Sequence, residues 1–216
     1  MPSITPLPRR EVTDETMKFY FNFLFGPDRD PVEEPGTSTG TPGDWWSVFA
    51  LSKDIFQHSV DGFKVYRSPE RKLDPVLREL GQTRAGWLVG SQFVYSQHCK
   101  SLRGLGVADN KIAAVHCWPA SDLFDAKERA VLGFTDCLAT QDGRVPVEIM
   151  DRLKTFLTDV EILELTYITS LYIMHGIMSR ALRTEFDDRP EPIVEVDAPE
   201  DFSATDFLAG SGSEQS

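Results

Sequence analysis

The 216-residue sequence predicts an all-α protein. Apolar residues recur every three to four positions along most of the chain, whereas no convincing segment alternates apolar and polar residues as a half-buried strand does. Two segments also begin with the spacing of a capping box, in which each side chain satisfies a free backbone N–H of the first helical turn. Hydrophobic residues make up 41% of the sequence, which is enough for a buried core.

The first half of the chain contains four regions with helical periodicity. The third is the longest and contains Gly86 and Gly90, which tolerate the backbone angles of a helix end. We therefore expect the chain to bend within it, and the second region holds one or two helices. The regions are 13–24, 45–66, 73–105 and 109–115.

The second half has clearer helix starts. Asp125 with Glu128, and Thr158 with Glu161, have capping-box spacing. Pro146 fits a first helical position, where its missing N–H is not needed. The helix after Thr158 carries one stripe at helical spacing, formed by Ile162, Leu165, Thr169, Tyr172, Ile173 and Gly176.

Composition divides the chain into three parts. Residues 1–70 form an N-terminal helical extension, with a Pro- and Gly-rich loop at 26–44. Residues 71–186 form a helical core. Residues 187–216 form an acidic C-terminal arm and a flexible tail, and the arm would strap across its own body or a neighbouring subunit.

The charge of the chain bears on its possible partners, and its cysteine content bears on the cellular compartment. The net charge is −12, but residues 187–216 hold nine acids and one base, so most of the acidity belongs to the tail. Nucleic acid is an improbable partner because phosphate binding needs a basic surface. Three cysteines without a close pair suit a reducing compartment, and we find neither a membrane span nor a secretory signal. We expect a cytoplasmic protein.

The stretch "SQFVYSQHC", Ser91–Cys99, raises the question of what its histidine does. The nearest upstream carboxylate within the apolar run is Glu79, 19 residues before His98. On one straight helix that separation is roughly 28 Å, so the two side chains meet only if the chain bends between them. A core histidine satisfied by its neighbours is the alternative interpretation.

The stretch "KLDPVLRELGQTRAGWLVGSQFVYSQHCKSLRGLGVADNKI" resembles the core of the carboxymuconolactone decarboxylase and alkylhydroperoxidase D superfamily. Residues 124–182, the opening "ITPLP" and the Pro-rich arm are similar to it as well. The resemblance implies an alkylhydroperoxidase D-like helical bundle that assembles into homotrimers or homohexamers.

The peroxidase branch of this family has a Cys-x-x-Cys-x-x-x-His motif, with a glutamate 19 residues before the histidine. Placed on this sequence, the histidine is His98 and the glutamate is Glu79. The cysteine positions fall on Ser91 and Val94, and the tyrosine commonly found between them falls on Phe93. Thiol peroxidase activity is therefore not expected, because it needs an attacking thiolate and a resolving thiol.

The decarboxylase branch lacks the cysteine pair and keeps the histidine. The resemblance implies a lyase-type enzyme that needs no metal or organic cofactor and acts on a small organic acid, lactone or enol. His98 would transfer the proton and Glu79 would orient it. One alternative is a thiol redox protein that uses Cys99 or Cys117, and another is a non-catalytic helical oligomer that binds a ligand or partner.

Four residues near His98 are candidates for binding a small-molecule substrate: Ser91, Trp87, Tyr95 and Phe93. For Trp87 and Tyr95, core packing is the competing interpretation. Two His-Cys dipeptides, at 98–99 and 116–117, would supply four zinc ligands, but adjacent helical residues diverge and the usual Cys-x-x-Cys knuckle is missing. We predict no metal site.

Overall fold

The computed structural model describes residues 1–37, 40–188 and 193–196. Within these residues the secondary structure is entirely helical, which confirms the predicted fold class. The α-helices are α1 (Glu15–Phe25), α2 (Asp44–Phe49), α3 (Lys53–Arg67), α4 (Pro75–Leu88), α5 (Gln92–Gly104), α6 (Asp109–Ala113), α7 (Ala126–Thr140), α8 (Val147–Lys154) and α9 (Asp159–Leu182). Short 3-10 helices lie at Arg9–Glu11, Ala114–Ala120 and Glu185–Asp188.

The helix starts follow the sequence signals closely. Asp125 and Glu128 form the expected capping box at the start of α7. At the start of α9, the Glu161 carboxylate accepts hydrogen bonds from the backbone N–H and hydroxyl of Thr158. Pro146 is the N-cap of α8 rather than its first residue, a difference of one position.

The chain forms two compact units. Among the described residues, the first unit contains 1–37, 40–64 and 179–188, and the second contains 65–178 and 193–196. The first unit is built on an aromatic cluster in which Phe21 packs against Phe25 and Phe56, and Trp45 packs against Trp46 and Phe49.

The second unit holds the larger apolar core. Helix α4 lies against both α5 and α7, and α7 lies against α8. The core residues between these helices include Leu80, Leu102, Leu132, Leu153 and Leu165, all completely buried. Helices α4, α5, α7, α8 and α9 therefore each contribute a completely buried leucine to this core.

The described part of the C-terminal arm, 193–196, lies along α5 within the second unit. Val194 donates its backbone N–H to Gln92, whose amide returns a hydrogen bond to the Val194 carbonyl. Val196 donates to Ser96, and Glu195 accepts two hydrogen bonds from Arg103. The arm thus straps across its own chain at this point; the tail from residue 197 lies outside the described residues.

Candidate functional site

The site is built on the hairpin of α4 and α5. Asp74 caps α4 by accepting hydrogen bonds from Val76 and Leu77, and Pro75 fills the first helical position. After α4 ends, Gly90 takes a positive φ of 72°, which reverses the chain. Ser91 then caps α5 through a hydrogen bond from Val94 to its hydroxyl. The two helices consequently run antiparallel and bring distant residues together.

Two glycines allow close packing around this hairpin. A Cβ on Gly86 would lie 2.6 Å from the backbone nitrogen of Tyr95, so α4 and α5 approach to a distance that only glycine permits. A Cβ on Gly176 of α9 would lie 2.6 Å from Val89 and 3.1 Å from Ser91, so α9 packs tightly on the turn. Gly90 is the bend that the sequence predicts, whereas Gly86 lies inside α4.

The hairpin places Glu79 directly against His98. Glu79 Oε2 lies 2.7 Å from His98 Nδ1, and both side chains are buried. An ionised carboxylate only accepts hydrogen bonds, so His98 Nδ1 carries the hydrogen atom and donates a hydrogen bond to Glu79. In the neutral imidazole the other nitrogen, Nε2, then presents a lone pair.

Tyr66 and Arg78 hold the other oxygen of Glu79. The Tyr66 hydroxyl donates to Glu79 Oε1 at 2.6 Å. Arg78 donates to the same oxygen through Nε at 3.0 Å, and its Nη2 lies 3.0 Å from that oxygen in an ion pair. The Arg78 guanidinium lies over the Tyr66 ring at 4.4 Å. Glu79 is therefore fixed from three sides.

These contacts decide the charge of the carboxyl group. Burial by itself would raise the pKa of Glu79, but His98, Arg78 and Tyr66 stabilise the anion more strongly, and the net result is a lowered pKa. Burial, with the negative charge of Glu79 beside it, raises the pKa of Tyr66 well above its usual range. Tyr66 thus stays protonated and donates its hydrogen bond at any physiological pH.

The rest of the imidazole is enclosed by aromatic rings. The Tyr172 ring meets it edge-to-face at a centroid distance of 4.3 Å, and the Tyr66 ring lies at 5.8 Å. His98 is only 3% exposed, and its Nε2 has no hydrogen-bond partner within the described residues. A buried polar atom of this kind normally meets water or a ligand.

The four predicted substrate-binding residues occupy different surroundings. Ser91 is buried as the N-cap of α5, and Phe93 is half-buried on its first turn. Trp87 instead contacts Arg84 and His116, with its ring 4.9 Å from the guanidinium and 6.1 Å from the imidazole. Tyr95 belongs to the apolar core.

Arg84 of α4 is bonded to groups on two other elements. It forms an ion pair with Asp136 at 2.6 Å and donates to the carbonyl of His116. Trp118 also donates to Asp136. These groups fasten α4 to α7 and to the Ala114–Ala120 segment.

The three cysteines are free thiols at separate places. Cys99 is completely buried, and burial raises its pKa to about 12. Cys137 is buried as well, and burial raises its pKa too. Cys117 is exposed. A thiol with a raised pKa is a poor nucleophile, because the thiolate is the reactive form.

In the part of the chain that the structure describes, His, Cys, Asp and Glu side chains do not form a group of three or more suited to a metal ion. Every helix described there is too short or too polar to cross a bilayer.

The sequence interpretation missed Tyr66 and Arg78. Arg78 is the immediate neighbour of Glu79, so its proximity was visible in the sequence. Tyr66 lies 13 positions earlier, at the end of α3, and its hydroxyl reaches Glu79 within the second unit. A buried charge must be paired, so the second carboxylate oxygen of Glu79 requires a hydrogen-bond donor. That requirement was the available signal for a residue such as Tyr66.

Comparison with known proteins agrees with this architecture. The model of the carboxymuconolactone decarboxylase family matches residues 58–136, which run from α3 through most of α7. The uncharacterised protein YdfG of Bacillus subtilis (strain 168) is 22% identical over 119 residues, which cover 52% of this chain and 81% of that protein.

Solved structures share the fold at low identity. The debrominase Bmp8 has a TM-score of 0.67 and 16% identity, over 84% of this chain and 90% of that one. Bmp8 has also been solved as a cysteine-to-alanine variant in complex with 2,3,4-tribromopyrrole.

A second solved structure is ATU0492 from Agrobacterium tumefaciens. It is a protein of unknown function linked by its description to AhpD-type antioxidant defence, and it has a TM-score of 0.58 and 21% identity, over 62% of this chain and 91% of that one. The carboxymuconolactone decarboxylase family model thus matches residues 58–136, and the solved structures share the helical fold of this chain.

Proposed function

We propose that this protein is a cofactor-independent enzyme in which His98 carries out acid–base, lyase-type chemistry on a small organic acid, lactone or enol. One observation carries the proposal. His98 Nδ1 is fixed on the buried carboxylate of Glu79, while His98 Nε2 is buried without a partner among the described residues. An oriented imidazole with one nitrogen held and the other available is the usual arrangement of a histidine acid or base.

The number of protons is conserved whether His98 acts first as a base or first as an acid. As a base, Nε2 removes a proton from the carbon next to a carbonyl group, and the resulting imidazolium returns it at another atom of the intermediate. In a decarboxylation, the C–C bond electrons move into the carbonyl as carbon dioxide leaves, and the imidazolium protonates the enolate carbon. The imidazole then regains its proton from water. Neither sequence needs an oxidant or an electron carrier.

Glu79, Tyr66 and Arg78 are positioning residues in this scheme. Because Glu79 is ionised, it stabilises the imidazolium that forms when His98 accepts a proton. Tyr66 and Arg78 keep the buried carboxylate oriented and charged. The substrate-contacting roles of Ser91 and Phe93, which lie at the start of α5, belong to the same proposal.

A thiol redox function is the alternative, and the cysteine environments count against it. Ser91 and Val94 occupy the two family positions for reactive thiols. Cys99 is buried with a raised pKa, and Cys117 lies with the exposed His116 in the Ala114–Ala120 segment. A non-catalytic ligand-binding oligomer is the remaining alternative, and it predicts binding without turnover.

The test is a substrate panel with matched histidine variants. The panel contains keto acids, unsaturated lactones and enols, with a brominated pyrrole added because the debrominase Bmp8 binds one. Carbon dioxide release and ultraviolet absorbance of the conjugated products are followed for wild type, His98→Gln and His116→Gln. His116 is exposed and serves as the control. We expect turnover to disappear only in His98→Gln, with ligand binding retained.

Two results would reject the proposal. Equal turnover in His98→Gln and wild type would show that His98 is not the catalytic residue. Ligand binding by calorimetry without turnover across the whole panel would favour the binding-protein alternative. Circular dichroism on each variant verifies that the helical fold persists, so that a loss of activity reports on chemistry.

A further inference from the structure

Helix α9 presents an apolar stripe that the described part of the chain leaves exposed. The exposed positions repeat at intervals of three and four residues, which is the spacing of a coiled-coil seam. The large apolar members have exposed fractions of 53%, 68%, 47%, 39% and 56% and are Val160, Leu163, Tyr167, Met174 and Ile177. Ser170 is exposed and completes the series. We call these six residues the α9 seam.

The α9 seam is too long and too regular to be incidental. It spans 17 residue steps, or roughly 26 Å along the helix. Other faces of the same helix are buried, with Leu165, Ile168 and Thr169 completely covered. Isolated exposed apolar side chains are normal on a protein surface, whereas a continuous apolar strip marks an interaction site.

We propose that the α9 seam binds the α9 seam of a second copy of this chain, with the two helices antiparallel around a two-fold axis. The order of side chains along the seam is self-complementary in that arrangement. Val160 then lies opposite Ile177 of the second copy, and Leu163 opposite Met174. In the central layer the large Tyr167 lies opposite the small Ser170, so a bulky side chain meets a gap.

The charges beside the seam favour the same orientation. Asp159 lies at the start of α9 and Arg180 near its end, both exposed. In the antiparallel register these two positions flank the outer layer of the seam, so each Asp159 faces an Arg180 of the second copy. A parallel pair would place the two Asp159 residues at the same end. Opposite charges at flanking positions set orientation in helix pairs.

The first experiment measures mass in solution for seam and control variants. We expect wild type to contain an even number of 24.3 kDa chains by light scattering. In Leu163→Glu each copy contributes an unpaired charge to the contact between the two seams. The assembly should therefore fall to half its mass, and the dissociation constant of the contact should rise by about 100-fold or more. Val147→Glu is the control, because Val147 is 65% exposed on α8 and lies outside the seam.

A monomeric wild type, an odd number of chains, or an assembly that Leu163→Glu leaves intact would overturn the proposal. Circular dichroism on Leu163→Glu confirms that the exposed substitution leaves the helices folded. If Val147→Glu also dissociates the assembly, the α9 seam is not the specific contact, and the proposal fails.

A second experiment tests the orientation. Asp159→Lys should weaken the assembly, Arg180→Glu should weaken it similarly, and the double variant should recover wild-type mass and affinity. In a Cys117→Ser background, which removes the exposed thiol, Val160→Cys together with Ile177→Cys should give a cross-linked dimer on oxidation. Cross-linking by Val160→Cys alone would indicate parallel helices and contradict the antiparallel pair.

Discussion

Glu79 and His98 are 19 positions apart, yet Oε2 of the one lies 2.7 Å from Nδ1 of the other. The contact exists because Gly90 reverses the chain between α4 and α5, and because Gly86 lets the two helices approach closely. A pair of this kind fixes the tautomer of an imidazole, which is the property that the proposed chemistry needs.

The hydroxyl of Tyr66 should matter to turnover although Tyr66 is not expected to touch the substrate. Tyr66→Phe removes one of the donors to Glu79 and leaves the ring packing in place. We expect the free energy of unfolding to fall by about 1.5 to 3 kcal/mol, because the lost hydrogen bond is to a buried charge. We expect kcat to fall roughly tenfold with little change in KM, since the carboxylate that orients His98 loosens.

Nitrogen NMR of the imidazole separates positioning from simple stability. In wild type the His98 resonances should report the tautomer protonated at Nδ1, and in Tyr66→Phe the two tautomers should mix. Tyr20→Phe is the control, since Tyr20 is half-buried on α1, belongs to neither the site nor the α9 seam, and loses only its hydroxyl. Wild-type kcat and an unchanged tautomer in Tyr66→Phe would contradict the role given to Tyr66.

Glycine substitutions in two helices should have opposite effects. In Gly86→Ala the new Cβ would lie 2.6 Å from a backbone atom of Tyr95, which no rotamer change relieves. We expect destabilisation of about 3 kcal/mol, from overpacking, and separation of α4 from α5. In Gly133→Ala the nearest atoms belong to Trp118 at 3.7 Å, an ordinary contact, so helix propensity should add about 0.5 to 1 kcal/mol. Urea unfolding measures both.

The Glu79–His98 proximity was predictable from the sequence because a glycine pair interrupts an apolar helical pattern between the two residues. The role of each glycine was less visible: the bend needs the positive φ of Gly90, whereas Gly86 is required by a backbone that approaches from another helix. Periodicity describes one helix at a time, so it identifies helices and their caps well and contacts between helices poorly.

Because periodicity describes one helix at a time, the sequence interpretation missed Tyr66 and placed Trp87 near His98. Tyr66 comes from α3, and nothing in its local sequence indicates that it reaches Glu79. Trp87 is near His98 in the sequence, but it lies eight positions after Glu79, about 80° away around the helix. Its ring accordingly faces Arg84 and His116. Sequence distance was a poor measure of which aromatic residue surrounds His98, and Tyr172 from α9 does so instead.

Two neighbouring acids in the first unit, buried Glu185 and half-buried Asp44, should make stability depend on pH. Glu185 accepts hydrogen bonds from the backbone of Gly43 and Trp45, and Asp44 accepts one from the backbone of Glu185. Burial raises the pKa of both carboxyl groups, and the charge of Asp44 raises that of Glu185 further. The folded state therefore binds protons more tightly than the unfolded state, so this stabilisation is full below about pH 4 and is lost as the pH rises through the folded pKa values.

Glu185→Gln tests this pH dependence because it keeps the oxygen that accepts from Gly43 and Trp45. Relative to wild type, its free energy of unfolding should rise between pH 5 and pH 8, as urea titrations at the two pH values will measure. Glu70→Gln on the exposed surface controls for the loss of one negative charge. A difference between Glu185→Gln and wild type that stays constant across this range would show that Glu185 is not the group responsible.

Thiol reactivity should separate the acid–base function from the redox alternative. In the native protein one thiol per chain, Cys117, should react readily with Ellman's reagent, because it is exposed while Cys99 and Cys137 are buried. The other two should react only when the protein unfolds, since burial raises their pKa values and excludes the reagent. Turnover should survive full modification of Cys117 and should be unchanged in Cys117→Ser. Activity that disappears with modification and is absent from Cys117→Ser would assign the chemistry to sulfur and displace His98 from its proposed role.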